Sequence, residues 1–86
     1  MPPTPPPAIS PKVATAKAVT VELARRGLSQ SWLANQISMS ENTLSARMTG
    51  RKAFDVAELD LIATAFGLSI FEFMRIAEDE ATRSAA

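Results

Sequence analysis

Residues 38–52 read SMSENTLSARMTGRK, and the middle of this stretch predicts a short helix with few apolar residues. Ser40 is a favourable N-cap, and Gly50 is the residue type that most often follows the end of a helix. Between them, Leu44 and Met48 lie four residues apart and can share one buried face. A helix built only to fill a core would carry more apolar residues. The sequence therefore predicts a helix of about two turns that leaves most of its surface outside the core.

Four further helices are predicted from capping residues and from apolar residues spaced three and four apart. The predicted N-caps of all the helices are Ser10, Ser29, Ser40, Asp55 and Ser69. Gly27 and Gly67 are expected to end the first and fourth helices. No segment shows the period-two alternation of a strand. The predicted fold class is all-α, with five helices and no sheet.

The 86 residues are enough for one domain only. Residues 1–9 hold five of the six prolines and little apolar surface, which predicts a disordered, polyproline-like tail. The domain is expected to occupy residues 10–80. Residues 81–86 follow an acidic run and are expected to fray.

Composition argues against catalysis. The sequence contains neither histidine nor cysteine, which removes the usual general base and the commonest metal ligands. Its carboxylates fall mostly at predicted caps and exposed faces, so no acid–base pair is visible. The chain is therefore not expected to be an enzyme, to hold a metal or cofactor, or to bind a small molecule. It also lacks a secretory signal and a long apolar run, so we expect a cytoplasmic protein without a membrane partner.

Charge is distributed unevenly along a chain whose net charge is zero. Residues 12–52 contain seven basic and two acidic residues, and residues 53–86 contain two basic and seven acidic ones. Such a division suggests that one half faces a polyanion. Two solvated faces that differ by chance are the alternative.

The second and third predicted helices, joined by a turn of three or four residues, match the geometry of a helix-turn-helix. Residues 28–73, LSQSWLANQISMSENTLSARMTGRKAFDVAELDLIATAFGLSIFEF, resemble the lambda-repressor-like, XRE-type helix-turn-helix domains of phage repressors, Cro proteins and small bacterial regulators. Matching features include the small Ala34 between the helices and the buried Leu44. One departure is Ser38, which stands where the family usually has glycine in the turn.

The resemblance implies a five-helix lambda-repressor-like domain that places a recognition helix, residues 41–48, in the major groove of double-stranded DNA. Glu41, Asn42 and Ala46 match positions that face base edges, and Ser45 can serve a base or a phosphate. The remaining residues of the implied DNA-binding set are Gln30, Ser40, Thr43, Arg47, Arg51 and Lys52, most of them expected at phosphates. Two alternatives stay open: Glu41 can simply favour the helix dipole, and Arg47 can be an ordinary solvated charge. Arg25 and Arg26 are expected to form a solvated helix end.

The function implied by the resemblance is a sequence-specific transcriptional regulator, of the type of a phage Cro protein, that occupies an operator in a bacterial host cell. An antitoxin-type or other protein-interaction module of the same fold is the alternative. Apolar residues of the last helix suggest a homodimer, at least on DNA. The expected dimer contacts are Phe71, Met74 and Ile76. In the alternative, Phe71 folds back onto Trp32 or onto a loop.

Overall fold

The computed structural model describes residues 10–85 and shows five α-helices, with no strand among those residues. The helices are α1 (Pro11–Arg26), α2 (Gln30–Gln36), α3 (Glu41–Met48), α4 (Val56–Ala65) and α5 (Ile70–Ala85). The all-α, five-helix prediction is confirmed. The tail predicted for residues 1–9 lies outside the described residues.

The predicted caps form, and they explain where the helices begin. The Ser40 hydroxyl oxygen accepts a hydrogen bond from the backbone N–H of Thr43 at 3.1 Å. At the start of α4, the Asp55 side chain accepts from the N–H of Glu58 at 2.7 Å, and the Glu58 carboxylate accepts from the N–H of Asp55 at 3.0 Å. Each such bond satisfies a backbone donor that has no partner inside the helix.

Every helix contributes one of the five largest fully buried side chains of the core. These five residues are Val19, Leu33, Leu44, Ile62 and Phe73. Burying a side chain of this size is worth about 1.5–3 kcal/mol relative to leaving it in water. Because the five come from five different helices, the core depends on all of them at once, and the position of α3 is fixed by the whole fold.

The turn between α2 and α3 requires a left-handed residue. Ser38 has a φ of 55°, in a conformation that glycine adopts at far lower cost. The N–H of Met39 donates to the carbonyl of Ala34 at 2.9 Å and closes the end of α2. Serine therefore stands in a left-handed position, and its hydroxyl makes no hydrogen bond to any of residues 10–83 that would offset the strain.

Helix α5 is longer than the sequence predicts, since it continues through Ala85 where fraying is expected from residue 81. Helix α5 lies along α1, and this contact covers one face of it up to Glu80. Ala77 and Glu80 are both buried, and the Glu80 carboxylate pairs with Arg83 at 3.6 Å. A helix of marginal intrinsic stability is extended when a neighbouring element covers one of its faces.

Candidate nucleic-acid interface

Helices α2 and α3 cross closely and leave one face of α3 uncovered. Leu33 and Leu44 are fully buried between them, and Ala34 is small enough for the close approach. Met48 is half-buried against the same core. The two anchors predicted for α3 are confirmed, and the face that carries Glu41 and Asn42 is exposed to a partner.

The first turn of α3 carries its most exposed side chains. Glu41 and Asn42 are exposed, whereas Thr43, Ser45 and Ala46 are half-buried. The Asn42 side chain makes no hydrogen bond within the described residues, so both its donor and its acceptor are free. Free amide groups at the N-terminal end of a helix are suited to reading base edges.

Two of the polar side chains predicted at the interface are occupied at the cap. The Ser40 hydroxyl donates to the Thr43 hydroxyl oxygen at 2.8 Å and accepts from the Thr43 N–H. The hydroxyl proton of Thr43 remains free to donate outward. Ser40 thus has a capping role, and the Thr43 hydroxyl keeps a donor for a partner.

Glu41 is held by the first turn of α2. Its carboxylate accepts a hydrogen bond from the Ser31 hydroxyl at 2.7 Å. The Gln30 side-chain amide approaches the backbone carbonyl of Glu41 at 3.5 Å. Ser31 is a residue that the sequence-based reasoning missed, and its only signal is a small hydroxyl one position after Gln30 on the same turn. Glu41 is therefore more than a charge at the positive end of the helix dipole, since it also ties α3 to α2.

The side chain of Arg47 has a partner that the sequence does not predict. Its guanidinium donates to the Glu58 carboxylate of α4 at 2.9 Å and to the carbonyl of Thr43 at 3.3 Å. The Arg47 and Glu58 side chains are only 19% and 16% exposed. The solvated-charge alternative is wrong for Arg47, because its guanidinium braces α3 against α4. This pairing argues against the phosphate contact expected from the resemblance, which stays an untested prediction.

Arg51 and Lys52 lie in the loop after α3, as expected. Their backbone N–H groups both donate to the carbonyl of Ala46, at 3.0 and 3.2 Å, so the loop folds back over the end of the helix. Both side chains are exposed and neither makes an ion pair within residues 10–83. The loop thus presents two free positive charges beside α3.

At the far end of α1, Arg26 has partners that the sequence does not predict. Its guanidinium donates to the buried carboxylate of Glu22 at 3.1 Å and to the carbonyl of Phe66 at 2.8 Å. It also lies 5.0 Å above the centre of the Phe66 ring, which stacks on Trp32 at 6.4 Å. Arg26 thus lies at the exposed end of α1 as predicted, but it also joins α1 to the end of α4. Trp32 itself is half-buried and packs against the core.

The predicted dimer contacts differ in exposure. Phe71 is 81% exposed, so the alternative in which it folds back onto Trp32 or a loop is wrong. Met74 is partly exposed, beside an apolar groove of about 470 Å³ between α1 and α5. Ile76 is half-buried against the core, so most of its side chain already has a partner inside the domain. Of the three, Phe71 and Met74 remain available for association.

Within the described residues, no helix is long and apolar enough to cross a membrane.

Comparison with known proteins agrees with this geometry. The clp gene regulator ClgR of Corynebacterium glutamicum superposes with a TM-score of 0.83 and 24% identity, over 92% of this chain and 84% of that one. The hypothetical transcription factor NHTF from Neisseria superposes with a TM-score of 0.70 and 20% identity, over 85% and 84% of the two chains. At this identity the two structures show a shared fold. A search of curated proteins gives no significant match.

The family comparison is more specific. The family HTH_3, helix-turn-helix, matches residues 22–73, which span α2, α3, α4 and the first turn of α5. The matched region therefore contains the exposed recognition helix and both elements that brace it. The chain belongs to the helix-turn-helix family and is a DNA-binding transcriptional regulator of that class.

Proposed function

We propose that this protein binds double-stranded DNA sequence-specifically and regulates transcription by occupying an operator. One observation carries the proposal. Helix α3 is fixed by its buried Leu44 and by the Arg47–Glu58 ion pair, while Glu41 and Asn42 at its start remain exposed. A rigid helix with a polar, uncovered N-terminal turn is suited to the major groove.

Base reading is assigned to the exposed face of α3. Asn42 has a free carboxamide that can make two hydrogen bonds to adenine. Glu41 can only accept, so it fits the amino group of cytosine. Ser45 can serve either a base or a phosphate, and Ala46 offers only its methyl group to a thymine methyl.

Phosphate binding is assigned to the residues that flank α3. Arg51 and Lys52 are exposed and have no carboxylate partner in the part of the chain that the structure describes. Gln30 and Thr43 lie at the first turns of α2 and α3. Such contacts set the position of the protein on the duplex and make its affinity fall with salt, without selecting a sequence.

Selection of bound sequences from random DNA, followed by footprinting, tests the proposal. Replacing Asn42 by Ala is expected to relax the preference at one base pair, by about 1–3 kcal/mol of discrimination. Replacing Lys52 by Gln is the matched control. It should weaken binding to all DNA sequences alike and reduce the salt dependence of the affinity. If both variants lose only non-specific affinity, Asn42 does not read a base. If the wild-type protein shifts no DNA at low salt, the protein-interaction module of this fold is favoured instead.

A homodimer on DNA is part of the proposal. The exposed Phe71 and the partly exposed Met74 lie one turn apart on α5 and form an apolar surface without a partner in the domain. A symmetric dimer would place two copies of α3 on half-sites about one turn of DNA apart. Sedimentation equilibrium with and without an operator duplex would detect the doubled mass.

Regulation by occupancy is the simplest mode for such a domain. A protein bound at an operator blocks the access of polymerase, so repression is the expected direction. The solved structures with this fold support a regulatory role, since one is a clp gene regulator and the other a hypothetical transcription factor. The more specific assignment to a Cro-like phage repressor stays a prediction.

A further inference from the structure

The cationic side chains of this domain differ in whether they have a carboxylate partner. Glutamates pair with Arg25 and Arg26 of α1, with Arg47 of α3, and with Arg83 of α5. Other cations make no ion pair within residues 10–83, namely Lys12, Arg51, Lys52 and Arg75. Three of these four, Lys12, Arg51 and Lys52, belong to one region of the fold.

The region is the meeting point of α1 and the loop after α3. A Cβ atom at Gly50 would lie 3.8 Å from Cγ2 of Val13, so the end of α3 touches the first turn of α1. Lys12 directly precedes Val13, and Arg51 directly follows Gly50. The exposed side chains of Lys12, Arg51 and Lys52 therefore flank a single contact between two elements, and we call them the basic corner.

Stability does not account for the lysine in this corner. Lys12 lies in the first turn of α1, where the helix dipole disfavours a positive charge. That turn contains no acidic residue, whereas the first turns of α3, α4 and α5 each contain a glutamate. Only the backbone carbonyl of Lys12 accepts a hydrogen bond, from the Thr15 hydroxyl at 3.1 Å. Among the described residues the ammonium group thus has no partner and an unfavourable position, so it is available to an external anion.

We propose that Lys12 is a further phosphate contact, and that α1 extends the DNA-backbone surface beyond the helix-turn-helix. This inference rests on the proposed function. Arg51 and Lys52 bind the phosphates beside the recognition helix, and Lys12 binds the backbone next to them. The contact adds affinity and salt dependence but reads no base.

Binding of a fluorescent operator duplex, measured between 50 and 200 mM salt, tests the inference. Each phosphate contact adds about 0.9 to the slope of log affinity against log salt. The variant Lys12→Gln is expected to lower the magnitude of that slope by about 0.9. Between about 50 and 200 mM salt, the affinity of the wild type should therefore fall by a factor about 3.5 times larger than that of the variant. Lys12→Arg keeps the charge and should restore the slope. The unfolding midpoint of Lys12→Gln should equal or exceed that of the wild type, because the unfavourable dipole interaction is removed.

Arg75→Gln is the matched control. Arg75 is also exposed and makes no ion pair within residues 10–83, but it lies on α5. This variant should keep the wild-type slope. A wild-type slope for Lys12→Gln, together with a reduced slope for Lys52→Gln, would overturn this inference and leave the proposed function intact. The inference is also wrong if Arg75→Gln lowers the slope as much as Lys12→Gln, since the effect would then be one of net charge. If the wild-type protein binds no duplex, the proposed function itself fails.

Discussion

Replacing Arg47 by methionine should destabilise the domain without changing how its DNA affinity depends on salt. Methionine keeps much of the apolar stem and removes the charge that meets Glu58 at 2.9 Å. A hydrogen bond to a charged group contributes about 1.5–3 kcal/mol, and loss of one partner of a fully buried ion pair costs about 3–5 kcal/mol. The Arg47 and Glu58 side chains keep 19% and 16% of their exposure, and the Glu58 carboxylate still accepts from the N–H of Asp55. We therefore expect a loss of about 1.5–3 kcal/mol in the free energy of unfolding.

Urea unfolding followed by circular dichroism gives that free energy, and a double-mutant cycle isolates the pair. Glu58→Gln retains a carbonyl oxygen for the cap at Asp55 but lacks the charge that attracts Arg47. The double variant should lose less stability than the two single losses combined, by about 1 kcal/mol or more, because the residues are in contact. An Arg47→Met protein of wild-type stability, with a salt slope lowered by about 0.9, would refute this reasoning and return Arg47 to the phosphate contacts.

Two further predictions concern the turn before α3 and the exposed face of α5. Ser38→Gly should raise the free energy of unfolding by about 0.5–1 kcal/mol. Replacing a left-handed serine by glycine relieves about 1–2 kcal/mol of backbone strain. The greater freedom of glycine in the unfolded chain costs about 0.5–1 kcal/mol of this gain. Ser38→Ala keeps the strain and should change little, so equal stabilisation by both substitutions in urea unfolding would contradict this account. Phe71→Ser should leave stability within about 0.5 kcal/mol of the wild type, since the ring is 81% exposed, but should weaken self-association on DNA. Sedimentation of the variant with an operator duplex checks this, and an unchanged dimer would remove Phe71 from the interface.

The fold was largely predictable because its signals are local. Capping residues fix where helices begin, and the predicted caps at Ser40 and Asp55 form the hydrogen bonds expected of them. The spacing of Leu44 and Met48 identifies the buried face of α3, because residues four apart lie on the same side of a helix. The end of α5 was not predictable in this way, because the contact of α5 with α1 is tertiary and leaves no local pattern in the sequence.

The candidate site was predictable where a residue acts through exposure, and not where it acts through a distant partner. Asn42 and Lys52 are exposed, as their positions in the motif indicate. Arg47 and Arg26 carry charges that the sequence alone assigns to solvent or DNA. Their partners lie 11 residues away for Arg47, at Glu58, and 40 residues away for the contact of Arg26 with the Phe66 carbonyl. Pairings at such separations depend on tertiary packing, which no local pattern encodes.

Contacts within the domain also limit how the side chains of α3 can move to meet base pairs. Helix α3 is held at its start by the contact between Glu41 and Ser31 and in its second half by Arg47 on Glu58. Polar residues that hold the helix are less free to rearrange on DNA, so the carboxylate of Glu41 would meet a base from a nearly fixed position. Asn42 has no such restraint and retains both its donor and its acceptor. Discrimination between operators should therefore depend more strongly on Asn42 than on any other residue of α3, and the selected sequences should show their strongest preference, for adenine, at the base pair that Asn42 contacts.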